Sequence, residues 1–83
     1  MVILNVNGEQ FLLESDKKLT VDDKNYIEAI CTYFYDEDNE WYDKIYDMSV
    51  YDIAELFQKS VKDEMGISLK FMPIDLEVSI NED

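Results

Sequence analysis

Six of the twelve residues from Asp36 to Asp47 (DEDNEWYDKIYD) are carboxylates, three are aromatic and one is lysine. Carboxylates can hold a cation, move a proton or neutralise a basic surface, and each task demands its own spacing. Asp36-Glu37-Asp38-Asn39-Glu40 sets oxygen ligands at alternate positions, as a calcium loop does. The sixth position of such a loop should be Gly and is Trp41 here; the twelfth should be a bidentate Glu and is Asp47. A dedicated metal site is therefore not expected. Proton chemistry is also poorly supplied, since the chain has no His, no Arg, a single Cys and no glycine-rich phosphate loop. A glycosidase-type carboxylate pair needs a cleft that 83 residues can hardly build. The expectation is a binding protein, not an enzyme, with no cofactor.

As a helix, this segment would place Asp36, Glu40, Asp43 and Asp47 at i, i+4, i+7 and i+11, one narrow stripe. Trp41, Ile45 and Met48 would fall on the opposite side. It could equally run as a loop from Asp36 to Asn39 and turn helical only near Glu40. A merely solvated helix face commonly mixes Lys with Glu, whereas stacked like charges cost about 0.2–0.5 kcal/mol per pair. Either a function or an acidic surface kept for solubility maintains the run. Helical carboxylates four apart lie about 5–6 Å from one another. That is comparable to neighbouring phosphates on a strand that rises about 3.4 Å per nucleotide.

Such a row, continued by Asp22, Asp23 and Asp52, suits a groove built to neutralise a phosphate backbone. Tyr33, Tyr35, Tyr42, Tyr46 and Tyr51 interleave with the acids, and aromatic rings give rigid contact area where bases would stack. The candidate partner-binding residues are thus Asp36, Glu37, Asp38, Glu40, Asp43 and Asp47, with Tyr35, Tyr42 and Tyr46 as anchors.

The whole composition agrees with the segment. Twenty acidic residues face seven lysines, a formal charge of -13. Nucleic acid and anionic membranes would repel such a chain, so direct binding to either is not expected. With 47% hydrophobic and 13% aromatic residues the chain can fold, and its length suits one domain, residues 1–83. MVILNVNGEQ lacks the basic start and apolar stretch of a signal peptide, and no run of 18 apolar residues occurs. A soluble protein of the cytoplasm is the default.

The elements that would position the acidic segment have clear signals. Asn7-Gly8 between two apolar runs marks a type I′ hairpin that pairs Val6 with Glu9, Leu4 with Phe11 and Val2 with Leu13. Thr20 with Asp23 predicts a capped helix from about Val21 to Tyr35, with Tyr26, Ile27, Ile30, Cys31 and Phe34 on its apolar side. Cys31 reads there as a small buried hydrophobe. Ser49 with Asp52 starts a further helix with an Ile53, Leu56, Phe57, Val61 and Met65 face, stopped by Gly66. Ile67, Leu69 and Phe71, then Ile74, Leu76, Val78 and Ile80, alternate as one strand broken at Met72-Pro73 or as two short strands. The predicted fold is α+β: an N-terminal hairpin, two or three helices and a C-terminal strand or strand pair. The small antiparallel sheet carries its helices on one face.

In size, charge and α+β character, together with the acidic-aromatic run at 36–47, the sequence resembles the phage-encoded DNA mimics. Uracil-DNA glycosylase inhibitors and several anti-CRISPR proteins belong to that class. The resemblance implies an inhibitor acting in the cytoplasm of a bacterial host, occupying the groove of a basic nucleic-acid-binding protein of defence or repair. It would act as a monomer or homodimer. The lysine-only basic set with abundant Asn, Ile and Tyr also suits an AT-rich genome such as many phages have. Two alternatives share the electrostatics: an immunity protein that neutralises a basic nuclease toxin, and an adaptor whose hairpin or C-terminal edge strand adds to another protein's sheet.

Overall fold

The computed structural model describes residues 2–74. Its order is β1 (Val2–Val6), β2 (Glu9–Ser15), α1 (Val21–Tyr33), α2 (Tyr42–Ile45), α3 (Val50–Met65) and β3 (Leu69–Pro73). This is the expected α+β arrangement. The three strands form one antiparallel sheet in the order β1-β2-β3.

The hairpin has the anticipated register, with Val2 opposite Leu13, Leu4 opposite Phe11 and Val6 opposite Glu9. Asn7 and Gly8 sit at φ 49° and 87°, the left-handed values that a type I′ turn requires. The strand period of two then sorts the side chains. Leu4, Val6, Phe11, Leu13, Leu69 and Phe71 are buried beneath the helices, while Ile3, Asn5, Lys70 and Met72 lie exposed on the other face. β3 joins β2 with Phe71 opposite Leu13 and Leu69 opposite Ser15. It runs through Met72 to end at Pro73, at the sheet's edge, where a missing N–H is tolerated. The alternation at Leu76, Val78 and Ile80 lies outside the described residues.

Thr20 caps α1 with a full capping box: its hydroxyl accepts from the Asp23 N–H at 3.0 Å, and the Asp23 carboxylate accepts from the Thr20 N–H at 3.0 Å. The helix ends at Tyr33, two residues before the expected end, because the chain then passes into i→i+3 turns. Tyr26, expected on the apolar side, is 52% exposed; the buried side is Ile27, Cys31 and Phe34. In α3, the Ser49 hydroxyl accepts from the Asp52 N–H at 3.2 Å, and Gly66 closes the helix at φ 70°. Ile53, Phe57 and Val61 are buried as expected, and Leu56 and Met65 are partly buried against the core.

Phe57 is the centre of that core. Its ring meets Phe11 at 5.6 Å and Phe71 at 5.7 Å, both edge-to-face, and Phe34 at 5.7 Å; Phe11 and Phe71 also meet, at 5.8 Å. One side chain thus ties β2, β3 and the end of α1 to α3, each ring pair adding about 0.5–1.5 kcal/mol beyond its area.

Candidate functional site

The acidic-aromatic segment connects α1 to α3, and both ends are fixed by the core. Between them the expected helical stripe does not form. Only Tyr42–Ile45 is helical, which follows the loop-first alternative with a later start than Glu40. Two side chains redirect the backbone. Asp36 Oδ1 accepts from the Asp38 N–H at 2.9 Å, and Asn39 Oδ1 accepts from the Trp41 N–H at 2.8 Å. These local bonds compete with a helical ladder. Backbone bonds from Asp36 N–H to Tyr33 O, Asn39 N–H to Asp36 O and Tyr42 N–H to Asn39 O continue the path as i→i+3 turns of 2.9–3.0 Å. Without a continuous helix, Asp36 and Glu40 no longer share a helical stripe with Asp43 and Asp47.

The carboxylates are consequently carried on a series of turns and one short helix. Asp36, Glu37, Asp38, Glu40, Asp43 and Asp47 are all exposed. None has a salt-bridge partner: among the described residues the one ion pair is Lys17 with Asp23, at 4.0 Å. Lys44, the basic residue within the segment, lies over the Trp41 ring at 5.2 Å, a cation–π placement. Trp41, Ile45 and Met48 turn inward against the core, as their spacing implied. Among the described residues no three acidic or thiol groups converge as metal ligands.

Tyr35, Tyr42 and Tyr46, the expected anchors, meet one another. Tyr46 meets Tyr35 at 5.7 Å and Tyr42 at 5.8 Å, both edge-to-face. Tyr35 and Tyr42 are half-buried, while Tyr46 is 61% exposed. Burial pushes the Tyr35 phenol up to about 12, and the nearby Glu9 carboxylate adds to the rise. Glu9 faces Val6 across the hairpin, so the tyrosine cluster stands at the turn end of the sheet. Tyr33 and Tyr51 are exposed but do not join the cluster.

On the segment's other side is an open groove of about 460 Å³, lined by Ile30, Tyr33, Asp38, Glu40, Trp41 and Glu64 among others. Sequence spacing did not connect Glu64 or Ser60 of α3 to this segment. Only the packing of α1 on α3 brings them there, and their helical positions flanking Val61 were the available signal. Cys31 is buried and its thiol is pushed well up by desolvation first and by Glu28 second, which leaves it inert. Asp22 and Asp52 are exposed in the first turns of their helices, and Asp23 is engaged in its cap.

Among the described residues no helix is long and apolar enough to cross a membrane. No protein-family model, curated protein or solved structure matches the chain, and the functional reading rests on this acidic, tyrosine-bearing surface.

Proposed function

We propose that the protein is a non-catalytic inhibitor that occupies the basic nucleic-acid-binding groove of another protein, in the manner of an acidic DNA mimic of phage origin. The observation that supports this most is the unpaired state of the segment. Six exposed carboxylates carry no lysine partner and share their segment with a preformed tyrosine cluster. Unpaired charge contributes nothing to folding, yet it is available to a partner's Lys and Arg. Tyr46, held by two neighbouring rings and still exposed, is a pre-ordered anchor whose immobilisation costs little on binding.

The turns replace the straight phosphate-like row of a single helix face, so the charge reaches a partner's groove as a patch and not as a line. Twenty carboxylates against seven lysines speed the encounter and make the on-rate fall as salt rises. Asp43→Lys combined with Asp47→Lys alters two exposed side chains outside the core. The double variant should fold normally and lose affinity for the captured partner sharply. Unchanged affinity in that folded variant would move the site elsewhere.

A further inference from the structure

The two free edges of the sheet differ in a way that side-chain pattern alone does not reveal. Val6 and Glu9 flank a two-residue turn and form its closing hydrogen-bonded pair, so pairing alternates from there. Leu4 and Val2 bond to β2, and the main-chain groups of Ile3 and Asn5 point away from it. The Ile74 N–H donates to Gln10 O at 2.9 Å, which confirms that Gln10, opposite Asn5, faces β3 instead.

On β3 the same parity turns Leu69, Phe71 and Pro73 outward. The Phe71 N–H donates to Gln58 Oε1 of α3 at 2.8 Å, and Pro73 has no N–H. That edge is blocked to strand addition. On β1 nothing among the described residues bonds to the outward groups of Ile3 or Asn5. The strand reads VILNV, with no charge, no Pro and no bulge, in a chain of charge -13. Natural edge strands normally carry such protection.

We infer that β1 is a docking edge for an extended segment of a basic partner, apolar at alternate positions and bearing Lys or Arg at the others. This rests on the reading of the partner as a basic protein. Side chains opposite Val2, Leu4 and Val6 lie on the apolar side of the sheet, and those opposite Ile3 and Asn5 lie on the open side. Glu9, opposite Val6 and close enough to Tyr35 to raise its phenol, puts negative charge at the turn end of the sheet, where β1 also ends. A second copy would bring -13 against -13 instead.

The probe is an acetylated, amidated (Lys-Val)₄ peptide, titrated into the full chain and followed by amide hydrogen exchange and fluorescence anisotropy. Protection gained at Ile3 and Asn5, with at least tenfold weaker binding when the peptide's lysines are N-methylated, is the expected result. Ile3→Pro, which removes an outward N–H without breaking a β1–β2 bond, should weaken binding similarly, and a (Glu-Val)₄ peptide should not bind. Equal binding of the N-methylated peptide, or protection confined to residues 36–47, overturns strand addition. Protection of the same amides without peptide also overturns it. Light scattering then assigns the occupant, to a second copy if the protein is dimeric and to the chain's own remaining residues if monomeric. Because no captured partner is used, this edge can fail while groove inhibition stands, and the reverse.

Discussion

Truncating Tyr46 to Ala should separate binding from folding. Tyr46 contributes two edge-to-face ring pairs, with Tyr35 at 5.7 Å and Tyr42 at 5.8 Å. Buried pairs of this kind add about 0.5–1.5 kcal/mol each, so two would give about 1–3 kcal/mol. At 61% exposure the ring realises less than half of that, and the expected loss of stability is about 1 kcal/mol. For a domain of this size that lowers Tm by about 4–8 °C, leaving the protein folded at 25 °C. An interface anchor costs about 2 kcal/mol or more when truncated, which is about 30-fold in Kd. Urea unfolding followed by circular dichroism measures the first number; competition titration against the captured partner measures the second. Tyr46→Phe keeps both ring pairs and should retain stability. A stability loss above about 3 kcal/mol would make Tyr46 a structural residue, and affinity unchanged within twofold would remove it from the interface.

Three further outcomes follow from the fold. Phe57→Ala empties the junction of three ring contacts and should cost about 3–5 kcal/mol, so urea titration should find the variant largely unfolded or barely stable. The Tyr35 phenol titrates near 10 when unfolded and about 12 when folded, so its contribution is complete below pH 10 and is lost as pH rises towards 12. Absorbance at 295 nm should show one tyrosine lagging the others, and Tyr35→Phe should remove it; a uniform titration would contradict the burial. Finally, with one ion pair among the described residues and a charge of -13, raising salt from very low levels should raise Tm. A flat response would mean that the charges are already dispersed.

The elements legible in the sequence are those whose cause is local. Asn7-Gly8 dictates its turn, and the turn dictates every pair of the hairpin. Thr20 with Asp23 and Ser49 with Asp52 place two helix starts to the residue, and Gly66 places one end. The segment from 36 to 47 defeats the same approach because two periodicities compete there. Helical spacing of its acids favours a stripe, while the Asp36 and Asn39 side chains can each satisfy a backbone N–H two residues on. The latter bonds form, and the helix is confined to Tyr42–Ile45. All six acids are exposed, as their residue type implied, and Tyr35, Tyr42 and Tyr46 meet although the helical acid stripe does not form. Contacts made across the fold were invisible. Gln58 reaches Phe71 thirteen positions away, and with Pro73 that bond occupies the outer edge of β3.

Displacement tests the proposed inhibition most directly. The immobilised protein is used to capture its partner from bacterial lysate at moderate salt, and the complex is then challenged with excess DNA or RNA. Occupancy of a nucleic-acid groove predicts that the partner is released in proportion to the nucleic acid added, and that the Asp43→Lys, Asp47→Lys variant captures little. A partner that stays bound through the challenge would contradict groove occupancy and favour an inhibitor or immunity protein seated outside the groove.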